Sequence, residues 1–167
     1  MWPLSAGSVG PWGIRVVTVS GSGTIEMWDG ETGERLFVLD AHADIVSDAS
    51  FSPDGSLVLS ASLDRTVQIW NATTGDVIFS LEGHSDGVTR ACFSPCGEYV
   101  ASASDDKTVR LWRTSDGSCI ATLGEPRKEV WRMAFSPNGK TLSSGARDGT
   151  VLIRQMTDLI PVELSNL

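Results

Sequence analysis

Residues 43–84 read ADIVSDASFSPDGSLVLSASLDRTVQIWNATTGDVIFSLEGH, and the pattern recurs at a spacing of 42 residues on either side. Phe51-Ser52-Pro53-Asp54-Gly55 returns as Phe93-Ser94-Pro95-Cys96-Gly97 and as Phe135-Ser136-Pro137-Asn138-Gly139. Trp28, Trp70 and Trp112 keep the period, as do Asp64, Asp106 and Asp148, and Ser60, Ser102 and Ser144. Self-similarity at a fixed spacing in this range marks a repeat architecture. The chain of 167 residues is one residue short of four such copies, placed at about 1–42, 43–84, 85–126 and 127–167. Together they predict a single domain.

Inside one copy the runs 45–51, 57–62, 66–70 and 77–81 are short and partly alternating, with no sustained apolar period of 3.6 residues. Ser52-Pro53-Asp54-Gly55 suits a type I turn, with proline fixing φ at the second position and glycine at the fourth. Leu63-Asp64-Arg65 and Asn71-Ala72-Thr73-Thr74-Gly75 supply the other two turns. Four short strands joined by turns predict an all-β unit, a four-stranded antiparallel meander. Val67 and Ile69 point to one face and Trp70 to the other, so a lone sheet leaves one apolar face uncovered. Stacking the copies face to face buries both, and radial stacking gives propeller blades.

These residues resemble the WD-repeat β-propellers over nearly the whole chain. The family signature is Gly-His near one end of the repeat and Trp-Asp near the other. Gly83-His84 and Trp28-Asp29 match in full, Ala41-His42 matches at the histidine, and Trp70-Asn71 and Trp112-Arg113 keep the tryptophan. The resemblance implies a structural hydrogen-bonded chain from the indole N–H through serine and histidine to aspartate. By position it falls on Trp70, Ser60, His42 and Asp64, and again on Trp112, Ser102, His84 and Asp106. Blade one carries Thr18, Ser22 and Trp28 at the matching positions, and blade four carries Pro126, Ser144, Asp148 and Arg154.

A serine, a histidine and an aspartate together also invite a hydrolase reading. Two identical sets in consecutive copies are redundant for catalysis and natural for scaffolding, and no Gly-x-Ser-x-Gly elbow presents a nucleophile. The expectation is therefore a non-catalytic interaction scaffold without cofactor or metal. A propeller segment that acts only within a larger assembly is the alternative.

Partners of such propellers often bind the rim formed by the loop into the first strand and the turn between strands two and three. Carried over by position, that rim holds Ile45, Ser47, Leu63, Thr89, Asp105, Glu129, Trp131 and Arg147. Trp131 and Arg147 are the residue types that dominate interface energetics. A protein or peptide partner follows from the resemblance.

Net charge is −8, from 21 acidic and 13 basic residues, which disfavours a phosphate-backbone partner. Charge is uneven, with six acids and one base over 43–84 against four acids and six bases over 127–167. Three cysteines outside the repeat pattern, no signal-like start and no apolar run of about 20 residues predict a reduced, intracellular protein without a membrane span. A first strand is expected near 4–9 and a last near 159–164, with no blade split between the chain ends. A four-bladed ring, an open arc and half of a two-chain ring all remain compatible, the last two with exposed blade faces that favour self-association.

Overall fold

The computed structural model describes residues 4–10, 15–124 and 128–160. Among these residues fifteen strands form four antiparallel sheets in chain order. The first holds β1 (Leu4–Val9), β2 (Arg15–Ser20), β3 (Thr24–Asp29) and β4 (Arg35–Asp40), and the second β5 (Val46–Phe51), β6 (Leu57–Ser62), β7 (Val67–Asn71) and β8 (Val77–Leu81). The third holds β9 (Val88–Phe93), β10 (Tyr99–Ser104), β11 (Thr108–Arg113) and β12 (Cys119–Gly124), and the fourth β13 (Val130–Phe135), β14 (Thr141–Ala146) and β15 (Val151–Gln155).

The turn residues act as their chemistry requires. Gly55 N–H donates to the Ser52 carbonyl at 2.9 Å, and Gly97 and Gly139 close the same turn on Ser94 and Ser136. All three glycines have φ near +70°, between 68° and 77°. The Ser52 hydroxyl accepts the Leu57 N–H at 2.9 Å, so the serine staples the turn to the second strand.

Each pair of successive sheets encloses one apolar cluster. Val17, Val19, Ile25 and Met27 of the first sheet meet Val46, Ala49, Val58 and Trp70 of the second. Leu59, Val67 and Ile69 meet Val88, Val100 and Trp112, and Ala101, Val109 and Leu111 meet Val130, Met133 and Leu142. The side-chain period of two explains this, because β6, β7, β10 and β11 each feed two clusters. Ser47 and Thr89 add polar ties, their hydroxyls donating to the backbone carbonyls of Val88 and Val130 at 2.6 Å each.

The expected last strand near 159–164 is corrected in part. After β15 the chain makes a 3-10 turn over Met156–Asp158, and Leu159 and Ile160 fold back on the third cluster. Leu159 and Ile160 N–H groups both donate to the Met156 carbonyl at 3.1 Å, which commits them to the turn and not to a ladder. Residues 161–164 lie outside the described residues, as do the start at 1–3, the 11–13 turn of blade one, and Pro126. Among the described residues the sheets form an open series, each packed on the next, without a corresponding packing of the first on the fourth. Among the described residues no helix is long and apolar enough to cross a membrane.

Arg65 and Lys107 occupy the left-handed region at φ 77° and 71°, where the first and fourth sheets carry Gly23 and Gly149 at 84° and 86°. A side chain there costs about 1–2 kcal/mol, offset in part by the ~0.5–1 kcal/mol of chain entropy that a glycine adds to the unfolded state. Lys107→Gly should therefore stabilise the fold by about 0.5–1 kcal/mol, read as a higher urea midpoint at unchanged slope. Lys107→Ala should give no gain, and equal midpoints for the glycine and alanine variants would show that the turn carries no strain.

Candidate functional site

Two polar chains cross the sheet interior with the same geometry. Trp70 Nε1–H donates to Ser60 Oγ at 2.9 Å, and Ser60 Oγ stands 2.8 Å from His42 Nε2. His42 Nδ1 is 2.9 Å from Asp64 Oδ2. The third sheet repeats this through Trp112, Ser102, His84 and Asp106 at 2.8, 2.7 and 2.8 Å. The tryptophan has only a donor to give, so the serine oxygen accepts it and the serine O–H donates to Nε2. His Nδ1–H is then the donor to the carboxylate, and the imidazole is neutral.

Burial agrees with that assignment. Both imidazoles are fully buried, while the two carboxylates keep slight exposure. Desolvation holds both histidines below their usual pKa, against the opposing pull of Asp64 and Asp106. Burial alone raises Asp64 and Asp106, but hydrogen bonds from Thr66, Thr108 and the histidines outweigh it and leave both below the usual carboxylate value. Each aspartate also accepts the N–H of the residue after its histidine, Ala43 or Ser85, at 3.0 Å. Asp64 and Asp106 thus tie the loop entering the first strand to the turn between the second and third.

Gly83 shows why a glycine precedes the histidine. Its φ is +149°, and a Cβ there falls 2.3 Å from Arg110 Nη1. The Arg110 guanidinium lies 5.9 Å from the centre of the Trp112 ring.

The outer sheets keep fragments of the chain. Trp28 Nε1–H donates to Thr18 Oγ1 at 2.9 Å, and Ser22 stands where the aspartate would be, in a hydroxyl cluster with Ser20 and Thr24. In the fourth sheet Arg154 takes the tryptophan's place, donating to Ser144 Oγ at 3.3 Å and to the Gly124 carbonyl at 3.4 Å.

Ser60 and Ser102 have no exposed surface, and each hydroxyl is fully engaged between tryptophan and histidine. A carbonyl carbon has no path to either oxygen.

The rim positions form cross-strand pairs. Leu63 N–H donates to the Ile45 carbonyl, Asp105 to Gly87 and Arg147 to Glu129, at 3.0, 2.9 and 2.9 Å. Ile45 and Leu63 are exposed apolar residues, and Leu63 covers Gly87 so closely that a Cβ there would lie 2.9 Å from its Cδ2. Asp105 follows, its pKa raised by burial and by neighbouring Asp86 and Glu129, with Arg147 opposing. Glu129 Oε2 is buried without a hydrogen-bond partner, 3.9 Å from Arg147 Nη1. The Arg147 guanidinium carbon lies 5.4 Å from the Trp131 ring centre, and Trp131 is 47% exposed.

Ser47 and Thr89 sit apart from the other rim positions in that their hydroxyls serve the sheet-to-sheet ties. A hydroxyl at the same position of consecutive repeats was the signal for that role. Asp48 is a buried acid that sequence reasoning passed over; it lies 3.7 Å from Arg90 Nε and accepts the Ala91 N–H at 3.3 Å across the second and third sheets. Burial raises its pKa, with Arg90 opposing. Cys92 is part-buried, its thiol pushed up to about 12 by burial, whereas Cys96 and Cys119 are exposed. Among the described residues no cluster of histidine, cysteine and acidic side chains is arranged to hold a metal ion.

The family model for the WD domain, G-beta repeat, matches residues 33–71, 75–113 and 117–154. Each match runs from the last strand of one sheet through three strands of the next, so the family's unit straddles two sheets. No curated protein matches the chain. WD repeats generally act as scaffolds for protein interactions and are typically non-enzymatic. Repeats covering most of the chain, with the tryptophan–serine–histidine–aspartate chains inside them, make this protein a member of the WD40, G-beta repeat family.

Proposed function

We propose that the chain is one non-catalytic interaction domain that binds a peptide or protein surface along the rim from Ile45 to Trp131. The observation that carries this is the Trp131–Arg147–Glu129 group. A tryptophan half open to solvent, held under a guanidinium that is itself 3.9 Å from a buried carboxylate oxygen, has the ingredients of a binding anchor. Its neighbours set the partner's chemistry. Ile45 and Leu63 offer an apolar stretch, and Asp86, Asp105 and Glu129 an acidic one, so a ligand with an apolar residue followed by a lysine or arginine suits the order. The serine–histidine–aspartate sets serve the scaffold that holds this rim.

Binding of an arrayed peptide library with basic and apolar positions permuted tests the proposal. Trp131→Ala and Arg147→Ala should each weaken the best peptide by about 30-fold, the effect of a 2 kcal/mol anchor. Acidic peptides should bind less than basic ones. Equal binding by the parent and both variants would remove the site.

A further inference from the structure

We propose that a second docking site, independent of the rim, lies in the groove between the second and third sheets at the end of the strands opposite the rim. It takes a short basic segment of a protein partner. One apolar side chain of that segment sits on Leu57 and Tyr99, and a lysine or arginine faces Asp54 and Glu98. The groove measures about 520 Å³, and both of its walls are internal to the chain.

The repeat shows why this groove is open. Arg15, Leu57 and Tyr99 share one repeat position at the start of a second strand, and Ala72, Thr114 and Met156 share another just after a third. The N–H groups of Ala72, Thr114 and Met156 donate to the carbonyls of Ser56, Glu98 and Lys140 at 2.9, 2.9 and 2.8 Å, so the three interfaces are built alike. Between the first and second sheets the Arg15 guanidinium spans the space and donates to the Ala72 carbonyl. Between the third and fourth, the chain's own Met156 and Ile160 line the space beside Tyr99. Between the second and third, Thr114 takes the methionine's place, and the lining stops at Ser115 without a counterpart of Ile160.

These differences set the occupant's chemistry. Where the chain places its own side chains in this position they are a methionine and an isoleucine, so an aliphatic anchor fits. Thr114 Oγ1 is buried without a hydrogen-bond partner, so turning about χ1 onto an occupant's backbone gains a bond and breaks none. Charge decides the rest. Across the turn segments at this end, 29–34, 53–56, 71–76, 95–98, 113–118 and 137–140, seven acids stand against two bases. One of those bases, Arg113, is paired with Asp116 at 3.1 Å. Hydroxyls of Ser52 and Ser56 donate to Asp54 at 2.6 and 2.8 Å and hold its carboxyl below the usual value, and Glu98 is exposed. An acidic margin around an apolar floor favours a cationic segment and repels an acidic one.

Amide spectra of the full chain, titrated with two synthetic peptides, test this. One peptide carries a leucine flanked by lysines, the other a leucine flanked by glutamates. The lysine peptide should shift the Leu57, Glu98, Tyr99 and Thr114 amides, and the glutamate peptide should not. Glu98→Lys should weaken the lysine peptide by about 10-fold, one attraction being lost and one repulsion gained. Thr114→Val should weaken it by about 5-fold and leave the urea midpoint equal or higher, because an unpartnered buried hydroxyl is removed. Trp131→Ala should leave these shifts unchanged, which separates this site from the rim. Equal shifts from the two peptides overturn the proposal. So do shifts confined to the Trp131 and Arg147 amides, or no shifts at millimolar peptide.

Discussion

Ser102→Ala should destabilise the chain by about 2–4 kcal/mol, the largest single effect among its polar substitutions. Ser102 Oγ bridges Trp112 Nε1–H, at 2.8 Å, and His84 Nε2, at 2.7 Å. Removing it strands a buried donor and a buried acceptor at once, each costing about 1–3 kcal/mol. Ser102, Trp112 and His84 lie in the interior at 0%, 2% and 6% exposure, so water does not readily replace the hydroxyl. Ser102→Thr keeps the oxygen and should recover much of the loss, less the strain of an added methyl in a packed site. Urea midpoints of the two variants separate hydrogen bonding from packing. A loss below about 0.5 kcal/mol for the alanine would mean that the indole and imidazole satisfy each other by moving.

The repeated polar chain was legible in the sequence because its members recur at fixed distances, and a hydrogen bond needs a particular atom at a particular place. Strand runs were legible for a related reason. Four apolar and polar alternations between proline- and glycine-containing turns leave few ways to fold. The 57–62 and 77–81 runs of the second copy coincide with β6 and β8.

Exposure was not legible. Val151 and Ile153 read like Val67 and Ile69, and among the described residues a further sheet covers only the second pair. A pattern reports which way a side chain points, not what waits there. The turn after β15 escaped for a different reason. The strand expected near 159–164 starts inside that turn, where Met156 enters the third cluster and Leu159 and Ile160 bond back to its carbonyl. Trp131 likewise gave its type and position but not its surroundings, since the stacking on Arg147 and the ion pair of Arg147 with Glu129 depend on three-dimensional approach.

Acid should lower the stability of this chain in a first step that begins near pH ~6.5. The chain has two histidines, and both sit in the polar chains. Their folded pKa values lie below 6.5 because burial disfavours the imidazolium. An unfolded histidine titrates near ~6.5. Between the folded values and 6.5 the unfolded chain binds more protons, so stability falls as pH falls through this window. The contribution is fully present above 6.5, and each histidine lends a slope of up to about 1.4 kcal/mol per pH unit. Hydrogen bonding gives the same sign: a proton on Nε2 confronts a serine oxygen that must give up its donation and already accepts from tryptophan. Below 3.8 a second decline follows as Asp64 and Asp106, both lowered in the fold, take up protons. Asp48 acts in the opposite direction, since its raised value lets the folded chain bind a proton first. Urea midpoints from pH 7.5 to 5 measure the first step. His84→Gln should remove about half of the slope, and the double variant with His42→Gln nearly all of it. A parent chain with equal midpoints at pH 7.5 and 5 would show that the folded protein accepts the imidazolium, and that the serine, not the histidine, is the group that reorients.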